Sequence, residues 1–397
     1  MLLTLTLDRR AAFGLGSTSS NVVATAKYVP GAVVRGALAA AWIARRGAPD
    51  AAFDELFEGP VTFGPLFSGD PPLALSVLVH KRGVDELTCL RRWWDRAVEP
   101  VELVPAGNRC PDCGGPLEPS KGKLTDDPPV VRETHVQLEE RVETAKHGDL
   151  FTRETIRGTG LTFRGRVDGP KELLEELTEF SRVRVGGRRS TGGGASVTWQ
   201  EDPQPALGAQ RRGDGSFVLR LASPGIFVDD IGRPSRSPDR AELGRILGAE
   251  VALGEPWTRW TTVSGWHVAS GLPKPIDMAV EAGSTYVFRA DCEIDDEALA
   301  TLGARGLGLR RHEGFGAVAG APVCRDTLAG IRHTLGPLFR MRPKGRSMVA
   351  AAVRAGTAEQ MIAENMPDEV KRAVRTLIHI DDADRLNRHL AELEAER

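Results

Sequence analysis

The stretch Val185-Gly-Gly-Arg-Arg-Ser-Thr-Gly-Gly-Gly194 decides how this chain is read, because Gly306-Leu-Gly-Leu-Arg-Arg-His-Glu-Gly-Phe-Gly316 repeats its character further on. Five of the nine residues from Gly186 to Gly194 are glycine, too dense a run for the interior of a helix or strand on backbone entropy alone. It suits a loop whose main chain lies against a ligand, and the adjacent arginines make that ligand an anion. Neither loop ends in the Gly-Lys-Ser/Thr of a Walker A motif, and neither sits in the parallel βαβ unit of a dinucleotide fingerprint. One such loop is equally well read as a tight helix-to-strand connection. Two at equivalent places imply a duplicated module gripping an extended polyanion, with RNA the leading candidate.

Outward from the first loop, residues 171–180 read as a short helix before it and 195–199 as a strand after it. Residues 2–8 alternate as a half-buried strand, and 32–45 form an alanine-rich helix with Pro30 near its first turn. Strand patterns at 61–67, 73–79, 130–138 and 159–167 complete this half, around an irregular insertion at about 47–130 and a polar segment at 139–158. The second half reads as strand 217–221, helix 239–247, strands 257–268 and 285–292, helix 295–302 and strand 317–323. Both halves therefore spell β-α-β-β-α-β, the split β-α-β or ferredoxin-like order. The predicted architecture is α+β: a first module over 1–205 carrying the insertion, a second over 206–325, and a helical segment over 326–397.

The 397 residues carry a formal charge of −2, so any RNA-binding charge is local rather than general. No apolar run approaches the roughly 20 residues that cross a bilayer. The N-terminus lacks a signal peptide's basic start, and five cysteines with one Cys-x-x-Cys do not make a secreted disulfide framework. The expectation is a cytoplasmic protein without a membrane partner.

Two further stretches, together with the first glycine loop, carry a family resemblance. Tyr28-Val-Pro-Gly-Ala-Val-Val-Arg-Gly-Ala-Leu38, Gly148-Asp-Leu-Phe-Thr-Arg-Glu-Thr-Ile156 with Leu161-Thr-Phe-Arg-Gly165, and the first glycine loop resemble, in that order, motifs of the RAMP superfamily of CRISPR-associated proteins. The tandem copy ending in Gly306–Gly316 is most similar to the type III-D member that caps the guide RNA. The resemblance implies ferredoxin-like domains and a non-catalytic subunit of a type III effector ribonucleoprotein. Such a subunit binds the five-prime tag of the CRISPR guide RNA and nucleates the backbone filament, so its partners would be related RAMP backbone subunits and the large signalling subunit. On that carry-over Gly186, Gly187, Gly192, Gly193 and Gly194 bring backbone N–H groups to phosphates, and Arg188 and Arg189 supply charge. Arg310, Arg311 and His312 form the matching cluster. Arg35 contacts a phosphate or braces the loop from its helix.

Two alternatives stay open. A metal-independent endoribonuclease processing precursor RNA would use His312 as general base, since histidine titrates near neutrality; the blander reading is a loop histidine in contact with RNA or a neighbour. A protein-bridging scaffold would need neither loop. Asp8 and Asp149 are conceivable counterparts of a cleaving aspartate, and His135 and His147 are weaker candidates. Cys110-Pro-Asp-Cys113 has the form of half a structural zinc site; Cys89, His80, His135 or His147 would have to complete it, and a free thiol pair is the other reading. Cys292 and Cys324 are expected in the core. Trp257, Trp260 and Trp266 are read in one strand, as packing or as a stacking platform.

Overall fold

Alternation of Leu3, Leu5 and Leu7 with half-exposed neighbours gives β1 (Leu2–Leu7) one buried face, the period-two mark of a strand covered on that side. The computed structural model describes residues 1–14, 22–81, 93–98, 107–110, 114–124, 127–138, 145–187, 192–202, 208–212, 214–267, 270–319, 335–363, 366–378 and 383–395. After β1 come β2 (Val22–Val23), α1 (Gly31–Arg46), α2 (Ala51–Phe57) and β3 (Thr62–Phe63). Residues 75–121 contribute β4 (Val77–His80), β5 (Trp93–Asp95) and β6 (Leu117–Pro119), a small antiparallel sheet over Leu78, Trp94, Cys110 and Leu117. Then follow β7 (Val130–Leu138), β8 (Ala145–Ile156), β9 (Thr162–Asp168), α3 (Lys171–Leu177), β10 (Arg182–Arg184) and β11 (Gly194–Gln200).

The main sheet of this half runs β10-β11-β1-β9-β3 with antiparallel pairings throughout. Setting aside the edge strand β10, its strands lie in the order fourth, first, third, second along the chain. α1 covers the sheet with Val34, Leu38 and Trp42, and Trp42 meets Phe57 edge-on at 6.2 Å. Removing that indole would cost about 3–5 kcal/mol by the general rule for buried aromatics.

The second half contributes β12 (Gln210–Arg211), β13 (Ser216–Leu221), α4 (Arg240–Leu247), β14 (Val251–Trp257), β15 (Trp260–His267), β16 (Leu272–Val280), β17 (Thr285–Ala290), α5 (Asp296–Arg305) and β18 (Val318–Ala319). β18 and β12 share one edge of β13, and β17 and β14 follow on the other side. The order β18-β13-β17-β14 is again fourth, first, third, second. Asp295 opens α5 by accepting the Ala298 N–H at 2.6 Å, and Asp239 caps α4 in the same way through Ala241.

The described residues fold as two compact units. One holds residues 1–74, 122–211 and 215–321, and so both main sheets; the other holds 75–121, 212–214 and 322–397. In the latter, α6 (Gly336–Phe339), α7 (Pro343–Arg354), α8 (Asp368–Ile378) and α9 (Ala383–Ala395) bury Leu338, Val349, Leu377 and Leu390 in a core of their own. Pro343 sits in the first turn of α7, where its missing N–H costs nothing.

Three expectations are corrected. The segment 139–158 is not a simple polar loop, since β8 pairs along β7 from Val130↔Ile156 to Leu138↔Ala145. The strand expected over 257–268 is the end of β14 and the start of a separate hairpin, so Trp257 and Trp260 lie in different strands. Cys292 is exposed rather than core, because β17 ends at Ala290.

Candidate nucleic-acid interface

The first glycine loop lies against the segment that leaves β1. Asp8 N–H donates to the Gly194 carbonyl at 2.8 Å, Gly193 N–H to Arg10 at 2.9 Å, and Gly187 N–H to Ala12 at 3.0 Å. Val185 N–H closes the base of the loop on Gly193 at 2.8 Å. Gly193 has φ +74°, and a Cβ there would overlap the Val185 carbonyl oxygen. Its glycine identity follows from that close approach. The N–H groups of Gly187 and Gly193 are thus committed within the protein, and the phosphate role read for them does not fit that bonding. Gly192 remains at the mouth of a cavity with Asp8, Arg9, Arg182 and Arg184. Arg188 and Arg189, between Gly187 and Gly192, lie outside the described residues. Arg182 is 77% exposed and pairs with Asp8 at 2.8 Å, and Arg9 is exposed.

The second loop is built differently. Arg310, with φ 55°, points its guanidinium inward onto Glu313 at 3.0 and 2.9 Å and onto Asp277 of β16 at 2.8 Å. Lys274, also of β16, reaches the same Glu313 carboxylate at 2.7 Å. Burial alone would raise the Glu313 pKa, but the hydrogen bonds from Arg310 and Lys274 outweigh it and hold the group at about 2. Arg311 pairs with Glu242 of α4 at 2.8 Å. Arg310 and Arg311 are therefore ion-paired within the fold, and this loop ties the β15–β16 hairpin and α4 together.

His312 stands 3.7 Å from Glu313, and burial, followed by the positive charge of Arg35, pushes its pKa below 6.5. The imidazole is consequently neutral at pH 7. Arg35 is a brace, donating Nε to the Phe57 carbonyl at the end of α2 at 2.7 Å and pairing with Glu58. Gly31, the glycine of the Pro-Gly pair opening α1, faces Gly314: a Cβ on either would overlap the Phe63 carbonyl oxygen. The start of α1 and the second glycine loop thus meet backbone to backbone. Spacing alone did not reveal this contact. The signal for it was the Pro30-Gly31 pair, whose glycine has no other demand at a helix start.

Cys110 is buried in a tight turn, its N–H donating to Gly115 and its carbonyl accepting from Gly114, both at 2.8 Å. Cys113, Cys89 and Cys324 lie outside the described residues, among which no three metal-ligating side chains cluster. His135 stacks on Phe151 with ring centres 5.3 Å apart; the side chains of His147 and Asp149 are not among those described. Trp260 receives the Arg236 guanidinium at 5.5 Å, and Trp266 is 60% exposed. Among the described residues no helix is long and apolar enough to cross a membrane.

Two main sheets with a glycine loop in each are matched by two family models. The chain belongs to the RAMP superfamily of CRISPR-associated proteins, whose model matches residues 13–197. Overlapping it and running into the second half, the model of the CRISPR-associated protein Cmr3 matches residues 124–319. The type III-D likeness rests on the sequence motifs, while the family model that matches here is Cmr3. No curated protein matches the chain. Similar solved structures include a chain of type III-B Cmr-β bound to cognate target RNA and AMPPnP, at 13% identity over 72% of this chain and 86% of that one, TM-score 0.42. A Cas6-related gene product of Pyrococcus furiosus aligns at 9% identity over 80% and 97%, TM-score 0.34. Thermus thermophilus Cas6 aligns at 14% over 80% and 98%, TM-score 0.29.

Proposed function

We propose that this chain is a non-catalytic subunit of a type III CRISPR effector ribonucleoprotein, and that it holds the five-prime tag of the guide RNA along its first glycine loop. The observation that carries this reading is the asymmetry of the two loops in a chain of the RAMP superfamily. The second loop spends Arg310 and Arg311 on internal ion pairs. The first is bordered by the exposed Arg9, Arg182 and Arg184 and carries Arg188 and Arg189 at its centre. Exposed cations such as Arg9 attract phosphate with a salt dependence of about one counterion per phosphate neutralised. The recurrence of one strand order in both main sheets supports two tandem ferredoxin-like modules. The match to Cmr3 supports assembly with related backbone subunits and a large subunit.

The nuclease alternative would rest on His312. Its neighbours Arg35 and Glu313 are both engaged in holding the fold, which favours a structural place for this histidine. The discriminating experiment is ultraviolet crosslinking of five-prime-labelled repeat RNA, read on a denaturing gel. A full-length adduct lost in the double variant Arg188→Glu/Arg189→Glu supports the binding reading. A shortened labelled product lost in His312→Ala would make the chain a processing nuclease. Absence of both, repeated with the neighbouring subunits present, would leave a scaffold.

A further inference from the structure

In both halves the segment leaving the first strand of the sheet lies against that half's glycine loop. After β1 the contacts are those of Gly187, Gly193 and Gly194. After β13, Leu309 N–H donates to the Ile226 carbonyl at 3.0 Å and Gly316 N–H to Pro224 at 2.8 Å. From there the second segment runs to α4 as a loop pinned at several points. Asp229 N–H donates to the Arg233 carbonyl at 2.8 Å, and Arg233 N–H to the Asp229 carboxylate at 2.7 Å. Ser235 N–H donates to the Phe227 carbonyl at 2.8 Å. The hydroxyl of Tyr286, a fully buried residue of β17, holds the Arg236 carbonyl at 2.7 Å.

This framework presents Arg233, Arg236 and Arg240 to solvent. None of the three forms an ion pair among the described residues, whereas Arg211, Arg259, Lys274, Arg310 and Arg311 of the same half all do. The carboxylates of the segment serve its backbone: Asp229 accepts from Ile231 and Arg233, and Asp239 from Ala241, while Asp230 stands exposed at the turn. Arg240 opens α4, where the helix dipole disfavours a cation, so helix stability does not explain it. The Arg236 guanidinium lies over the Trp260 ring at 5.5 Å. Stacking occupies its face and leaves its N–H edge for an anion. Neighbouring arginines are three and four residues apart, at most about 11 and 14 Å between Cα atoms by chain reach. They therefore mark a track rather than a pocket for one ion. We propose that Arg233, Arg236 and Arg240 take phosphates along the bound RNA. The anion contact of the second half is thus moved from its glycine loop, whose arginines turn inward, to the segment after β13. A pinned loop loses little freedom on binding, and phosphate contacts are blind to sequence. The proposal deepens the RNA-binding reading and rests on it.

The probes are fluorescently labelled repeat RNA and an oligouridylate of equal length, titrated against the full chain by anisotropy at several salt concentrations. The triple variant Arg233→Gln/Arg236→Gln/Arg240→Gln removes charge without adding repulsion. It lowers the slope of log affinity against log salt by about two, at roughly 0.7 per phosphate contact of a single strand, and does so for both RNAs. Changing the same three residues to lysine keeps the charge and retains the slope, which separates a lost contact from a lost fold, and circular dichroism checks both variants. An unchanged slope in the folded glutamine variant, while Arg188→Glu/Arg189→Glu still lowers it, overturns this assignment and leaves the reading of the first loop standing. A glutamine variant that binds RNA like wild type but no longer co-purifies with its neighbouring subunits would make the loop a protein contact, and overturns it too. If the wild-type chain binds neither RNA, alone or with those subunits, the RNA-binding reading itself falls and this assignment with it.

Discussion

Glu313→Gln is the substitution whose consequence is most fully determined by the structure. The carboxylate is 6% exposed and takes charge-assisted hydrogen bonds from Lys274 at 2.7 Å and from Arg310 at 3.0 and 2.9 Å. Holding its pKa at about 2 against an ordinary 4.5 corresponds to about 3 kcal/mol at roughly 1.36 kcal/mol per pH unit. The amide keeps the shape but leaves Lys274 without its carboxylate and Arg310 with Asp277 alone, and breaking a buried pair from one side costs about 3–5 kcal/mol. Because the folded pKa lies below the unfolded one, this stability is complete above about 4.5 and drains away as pH falls toward about 2. Urea unfolding followed by tryptophan fluorescence at pH 7 and pH 3 reads both effects. The predicted result is a variant some 3 kcal/mol less stable than wild type at pH 7, with a much smaller gap at pH 3. A difference under about 0.5 kcal/mol at pH 7, the range of a neutral surface change, would refute the reasoning that Glu313 holds the second loop to the β15–β16 hairpin.

The remaining predictions concern separate parts of the molecule. Gly314→Ala, at φ +82° against the Phe63 carbonyl oxygen, should destabilise by about 2 kcal/mol or more, measured by thermal unfolding. Arg188→Glu with Arg189→Glu should weaken binding of every RNA sequence alike and lower the slope of log affinity against log salt by about two; a loss confined to one sequence would instead mean base reading. If the Cys110 turn is half of a zinc site, metal analysis of chelator-washed protein should find about one zinc per chain, lost in Cys110→Ser. Only traces in the wild type would leave a thiol pair.

Much of the fold was legible because its signals are local. The alternation of Leu3, Leu5 and Leu7, the Pro30-Gly31 opening of α1 and the acidic start of α5 each fix an element by chemistry within a few residues. Strands without that chemistry were missed. β8 interleaves Lys146, Asp149, Thr152 and Glu154 among few apolar residues, and its identity comes from pairing with β7. β16 carries Pro273 and Pro275, which a hairpin edge tolerates and a central strand does not. At the site, sequence located both glycine loops but could not divide their labour. Arg188–Arg189 and Arg310–Arg311 look alike in one dimension. Only folding brings Glu313, Asp277 and Glu242 onto the second pair. Likewise, several loop glycines owe their identity to neighbouring carbonyls, of Val185 and Phe63, rather than to a ligand.

The decisive measurement for RNA binding by the first loop is nucleotide-resolved crosslinking in the complex assembled with the subunits encoded beside this one. The guide RNA is irradiated, and the crosslinked peptides and nucleotides are identified by mass spectrometry. Adducts are predicted between the repeat-derived five-prime tag and peptides spanning residues 9–13 and 182–192. Adducts only to the spacer-derived part of the guide, or none on these two segments, would contradict a tag-holding role.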